Sequence, residues 1–332
     1  NDVFALTMKY QINENMTLIS TTGYHDTPYE DTISELDGSA LDFIFIDNRN
    51  EYEQFSTELR LEGSYERFDF VVGAYYLDSK YDQDWATVGS FWSIVIPPAA
   101  GDLVNSAADT ATCASNMVPG NDTLWCDVSF APGGVNFGQA LGPGFDQRLF
   151  QTQETESYAY FGQIDYEVNE KLILTAGVRW TNDEKDFTGY QAYQGAARLR
   201  YPFNFDVPNI ALNNDWSETT LKLGLAYHAT DDMMFFGSYA EGFKSGGFYG
   251  VNQNIRDFDR NQYDPETAES WEIGMKSQWM ENRMQVNVSA FLNDFKDKQD
   301  SNVVRDEDTN TVATVWENQS SVQYWGVEIE TR

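Results

Sequence analysis

Residues 172–180 read "LILTAGVRW", and how this stretch is read decides the fold. Leu172, Leu174, Ala176, Val178 and Trp180 form one apolar set; Ile173, Thr175, Gly177 and Arg179 form the other, which is mixed, small or charged. A period of two marks a strand with two unlike faces. The pattern returns in "LKLGLAY" (221–227), "WEIGMKS" (271–277), "VNVSAFLN" (286–293) and "YWGVEIE" (324–330), and no stretch carries a convincing helical period. The fold class is therefore all-β.

A soluble sandwich also alternates, so the connections have to choose the architecture. Short polar turns fall at 11–15, 64–67, 168–171, 229–232 and 280–283. Between them lie long excursions at 27–50, 85–150, 190–213, 245–262 and 302–312. Short and long connections alternate strictly, which in an antiparallel up-and-down meander puts every tight turn on one side and every long loop on the other. Segments such as 156–168 and 172–186 exceed the usual soluble strand and suffice to cross a bilayer at a tilt, which takes about 9–11 residues. Tyr10, Tyr166, Tyr227 and Trp279 each stand just before a short turn, at the depth an interfacial aromatic girdle occupies. The expectation is a transmembrane β-barrel of which about 11 strands are visible; an odd count points to part of a larger barrel.

Composition agrees with this and excludes other classes. The 53 Asp and Glu outnumber 21 Lys and Arg, for a formal net charge of −32, which argues against nucleic acid as a partner. No run of apolar residues is long enough for a membrane helix, a test to which barrel strands are blind. The chain opens directly in strand-like sequence, "NDVFALTMKY", without a signal peptide, so a mature or truncated segment is expected. Cys113 and Cys126 lie in a Gly/Pro/Ser/Asn-rich region far from His25 and His228. A local disulfide fits better than zinc and implies an oxidising compartment.

The stretch "YAEGFKSGGFYG" (239–250) looks at first like a phosphate loop. A P-loop requires Gly-Lys in succession ahead of a helix, whereas Phe243 separates Gly242 from Lys244 and no helical pattern follows. The stretch instead resembles a strand and loop start of TonB-dependent outer-membrane receptors of Gram-negative bacteria. "DPETAESWEIGMKSQW" (264–279), "VSAFLNDFKDKQ" (288–299), "YFGQIDYEVNEKLILTAGVRWTNDEKDF" (160–187) and "FSTELRLEG" (55–63) are similar to further strands and hairpins of that family, in its order. Trp271 and Trp279 replace commoner residues there. The resemblance implies a barrel of about 22 strands, an N-terminal plug inside it, and a box contacted by TonB. Residues 1–332 would then be one partial barrel domain in the outer membrane, contacting lipid, with TonB engaged through a region outside this sequence.

Ligand-binding candidates come from the excursions. Between Trp85 and Phe150 the chain is poor in charge yet holds Phe91, Trp92 and Trp125, and rings on a barrel rim suit an apolar or sugar-like ligand. Packing on neighbouring loops is the competing reading. Phe248 and Tyr249 join the candidates from the glycine-rich stretch. The acidic excursion with Glu30, Asp31, Glu35, Asp37, Asp42 and Asp47 lacks EF-hand spacing and reads as a solvated loop. No catalytic residue, metal ligand or cofactor is assigned, since neither Gly-x-Ser-x-Gly nor His-Glu-x-x-His is present. The expected function is active uptake of a scarce solute of the siderophore, vitamin or oligosaccharide class. A passive porin-like barrel and a secreted β-rich carbohydrate-binding module or glycosidase are the rivals.

Overall fold

The computed structural model describes residues 1–35, 44–89, 145–194, 210–250, 262–281, 283–305, 312–319 and 321–332. Its strands in chain order are β1 (Asp2–Asn13), β2 (Met16–Glu35), β3 (Ile44–Tyr65), β4 (Phe68–Gly89), β5 (Phe145–Asn169), β6 (Leu172–Gln194), β7 (Ile210–Thr230) and β8 (Met233–Lys244). They continue with β9 (Gly247–Phe248), β10 (Gln262–Tyr263), β11 (Glu266–Trp279), β12 (Met284–Lys296), β13 (Gln299–Arg305), β14 (Val312–Asn318) and β15 (Val322–Thr331). Eleven of them form one antiparallel sheet in the order β1-β2-β3-β4-β5-β6-β7-β8-β11-β12-β15. Strands adjacent in that sheet are adjacent in sequence, apart from two inserted hairpins, β9–β10 and β13–β14. The sheet is open, with β1 and β15 at its edges, as befits part of a barrel.

The short turns close where polar side chains can take up the freed amides. Asn13 Oδ1 accepts from the Asn15 amide at 2.9 Å, Asn169 Oδ1 from Lys171 at 2.9 Å, and Thr230 Oγ1 from Asp232 at 3.3 Å. At the β11–β12 turn Met280 and Glu281 take positive φ values of 56° and 58°, as a tight hairpin demands.

The sheet's two faces differ as the alternation requires. Leu174 and Val178 on β6, Leu221, Leu223 and Leu225 on β7, Ile273 on β11 and Val327 and Ile329 on β15 are all exposed on one face. Large exposed aliphatics in an unbroken band mark the lipid side. Tyr10, Tyr166, Tyr227 and Trp279 share this face and are exposed at its short-turn rim. The opposite rim carries a second aromatic row, including Tyr24, Tyr160, Trp271 and Trp325, with Tyr160 stacked on Trp180 at 6.0 Å. From Leu172 to Trp180, or from Trp271 to Trp279, the apolar run is about 9 residues, which when tilted matches a band of about 25 Å. Within it Ser277, 2% exposed, donates to the Val286 carbonyl at 2.7 Å and accepts from Trp279 Nε1 at 2.9 Å, leaving no orphan hydroxyl.

The other face is the lumen wall. Near the short turns it is ionic: Arg60 donates to Glu58 and Glu62, each at 2.8 Å, and the Arg179 guanidinium lies 5.5 Å over the Phe161 ring and 5.8 Å over Tyr75. Arg60, Glu58, Glu62, Arg179 and Phe161 line a recess of about 670 Å³ together with Asp165.

Several strands run well past the lipid band. β2 and β3 stay paired from Glu30↔Asn50 to Glu35↔Phe45, β4 and β5 to Gly89↔Phe145, and β5 and β6 to Asp146↔Gln194. The excursions read as 27–50, 85–150 and 190–213 are thus ladder at their ends. Neither face of these extensions meets lipid, so the amphipathic contrast that reveals a strand fades there. Asp47, read as part of a solvated acidic loop, is 6% exposed on β3 and salt-bridged to Arg49 at 3.2 Å.

Candidate functional site at the lumen mouth

Beyond Lys244 the chain folds inward over the lumen wall. Phe248, 7% exposed, packs on Phe187 and Trp216 with both ring centroids at 5.7 Å, and Leu212 and Phe243 complete the cluster. Phe187 and Trp216 come from the inward positions of β6 and β7. Residues 245–250 therefore form a strap anchored on the barrel wall. Its glycines permit that closeness. A Cβ at Gly246 would stand 2.4 Å from the Trp216 indole and 2.5 Å from the Tyr263 carbonyl; one at Gly250 would stand 1.9 Å from Gln151 Oε1. No larger residue fits at either position without moving its neighbours.

Polar contacts hold the strap as well. Lys185 Nζ donates to the Gly246 carbonyl at 2.6 Å and lies 5.6 Å from the Trp216 ring centre. It sits on β6 well past the aromatic rim at Trp180, outside the membrane band. Burial pushes its pKa down; Asp183 opposes this and Lys244 adds to it. Gln299, 5% exposed, donates through Nε2 to the Ser245 and Asp264 carbonyls at 2.9 and 3.0 Å. Asn318 donates to the carbonyls of Asp264 (2.8 Å) and Asp297 (2.7 Å) and accepts from the Asp264 amide at 2.7 Å. It thereby ties the segment before β11 to the β13–β14 hairpin. Asn318→Ala should cost about 1–3 kcal/mol locally, read as faster hydrogen exchange at the Asp264 amide with the barrel amides unchanged.

Of the candidates read from sequence, Phe248 is thus a buried anchor of the strap. Tyr249 is half-buried and stacked on Trp316 at 6.2 Å, and Tyr263 meets the same ring, tilted, at 6.3 Å. Burial raises the pKa of both tyrosines. Phe91, Trp92, Trp125, Cys113 and Cys126 lie outside the described residues.

Sequence reasoning missed the groups on the wall beside the strap. Gln83 Nε2 donates to Asn48 Oδ1 at 2.8 Å and to Asn50 Oδ1 at 3.2 Å; Gln151 Nε2 donates to Gln83 Oε1 at 2.6 Å; the Tyr81 hydroxyl donates to Asn50 Oδ1 at 2.7 Å. This ladder crosses β3, β4 and β5 on one face and reaches the strap where Gln151 meets Gly250. Counting residue types at alternate positions of 46–56, 75–85 and 149–159 would have revealed it.

The profile of the family described as "TonB dependent receptor-like, beta-barrel" matches residues 2–332. A probable TonB-dependent siderophore receptor, PiuA of Acinetobacter baumannii, is 23% identical over 307 residues, covering 88% of this chain and 37% of that protein. Among solved structures, the ferric yersiniabactin uptake receptor FyuA from Yersinia pestis superposes with a TM-score of 0.63 at 14% identity, over 99% of this chain and 39% of its own. The A. baumannii PiuA structure gives 0.61 at 17% identity, over 99% and 43%. The chain thus spans less than half the length of these proteins.

Proposed function

The chain belongs to the TonB-dependent receptor β-barrel family, and on that footing we propose that the protein it forms part of takes up a scarce solute across the bacterial outer membrane. The observation that carries this reading is the family match along residues 2–332, for a wall that pairs a lipid-facing band with a polar lumen. Solute is captured at the mouth of the lumen, on the strap side. Passage follows when a plug in the lumen is rearranged by TonB from the inner membrane. The cargo is of the siderophore, vitamin or oligosaccharide class; one relative is named for a siderophore and one similar structure for ferric yersiniabactin. Phe91, Trp92, Trp125 and Tyr249 serve as binding residues, Phe248 as the buried anchor beside Tyr249, and a bridge between Cys113 and Cys126 stiffens the long excursion.

The test is growth of cells carrying or lacking the gene on a ferric chelate, cobalamin or an oligosaccharide as the limiting nutrient, with and without TonB. A requirement for the gene that disappears together with TonB supports the reading. Gene-dependent uptake that persists without TonB favours a passive pore. In the same assay the Trp92→Ala/Trp125→Ala double variant should lower uptake by about 30-fold, the worth of roughly 2 kcal/mol at a binding hot spot. Heat-modifiable migration of the folded barrel should be retained; unchanged uptake removes both residues from the site.

A further inference from the structure

Charge on β3, β4 and β5 is sorted by face above the aromatic rim. The outward positions carry Glu51 and Glu53, Asp78 and Asp82, and Glu154 and Glu156. The inward positions between 46 and 56, 75 and 85, and 149 and 159 carry no charged residue. In a chain of net charge −32 such a wall is a chemical statement. It holds amides, hydroxyls and rings: Asn48, Asn50, Gln83, Gln151, Tyr52 and Tyr81.

We propose that this wall is the contact surface for an uncharged, hydroxyl-rich ligand, an oligosaccharide, at the mouth of the lumen. The proposal rests on the uptake reading above and names its cargo class. An amide side chain both donates and accepts, so a wall of amides can exchange hydrogen bonds with sugar hydroxyls one for one. An anionic chelate would lose its hydration here without gaining a countercharge from the inward positions of β3, β4 and β5; Lys185, on the next strand, is held at the Gly246 carbonyl. The ladder is internally bonded and therefore held in place, and at its end Gln151 meets Gly250 of the strap. Gln151 Oε1 is buried and has no hydrogen-bond partner among the described residues. Tyr52 and Tyr81 stand on the same face and offer ring surfaces to the C–H faces of a sugar.

The test is isothermal titration of the purified full-length receptor with maltohexaose, xylohexaose and laminarihexaose, and with ferric citrate and a ferric catecholate as anionic counterparts. The expected result is binding of at least one neutral hexasaccharide with an affinity unchanged between low and high salt. Gln83→Glu, which sets a carboxylate in the ladder, should weaken that binding by about 10–100-fold, while Lys222→Gln, deeper on the wall, leaves it unchanged. Binding of no neutral sugar, binding of a ferric chelate with strong salt dependence, or indifference to Gln83→Glu overturns the proposal. Sugar binding accompanied by gene-dependent uptake that persists without TonB would instead leave the ligand assignment standing and remove the active-uptake reading.

Discussion

Leu223→Arg should destabilise the barrel by about 2–4 kcal/mol, the depth-dependent cost of a guanidinium at the middle of the lipid face. Leu223 is 53% exposed at the centre of the β7 band and pairs across the sheet with Ala176, midway along the β6 run from Leu172 to Trp180. On that face Tyr239 pairs across from Leu223, and Glu241, further toward the loop side, accepts from the Leu221 amide at 2.9 Å, so the charge must snorkel toward that rim or thin the bilayer. One residue away, Lys222 is native. It faces the other way and donates to Gln163 Oε1 at 3.1 Å, where water and polar groups serve it. Lys222→Leu should therefore change stability by less than about 1 kcal/mol. The measurement is denaturant unfolding of the full-length protein in lipid vesicles, comparing midpoints at constant slope. Equal midpoints for Leu223→Arg and wild type would mean that this face does not meet lipid.

The same contrast of faces explains how much of the fold was legible. Where one face meets lipid and the other the lumen, the side chains must alternate, and strands such as Leu172–Trp180 declare themselves. Past the rim neither face meets lipid, and Glu30–Glu35 pairs with Phe45–Asn50 without any apolar stripe to announce it. The β13–β14 hairpin was hidden in the same way, in and around the excursion read as 302–312. The four short-turn aromatics were readable because turn residues follow them directly. Their counterparts at the opposite rim were not, because no turn marks that depth.

At the site, the glycine-rich stretch was conspicuous but its role was not. Phe248 meets Phe187 and Trp216, which are distant in sequence and reach it only once the registers of β6 and β7 are set. The glycines serve close packing, since Gly246 and Gly250 lie against an indole and an amide. Charge sorting was present in the sequence all along. Parity had been read for hydrophobicity alone, and in "DNRNEYEQ" (47–54) the informative alternation is between charged and neutral polar residues.

Trp216→Ala should release the strap while leaving the barrel intact. Removing a buried indole costs about 3–5 kcal/mol, and here the loss falls on a local element. Phe248 loses one of its two ring partners, Lys185 loses the ring beneath it, and Gly246 loses the surface it lies against. The eleven-stranded sheet keeps every ladder bond, because Trp216 contributes its side chain to the strap and its backbone to the sheet. Hydrogen exchange on the full-length protein should thus show protection lost across Ser245–Gly250 and kept along β6, β7 and β8. Gly246→Ala should reach the same end by the opposite change, adding a methyl where the indole and the Tyr263 carbonyl leave no room. If protection of the strap survives both substitutions, the polar ties from Lys185 and Gln299 hold it, and the aromatic cluster is packing that follows from closure instead of causing it.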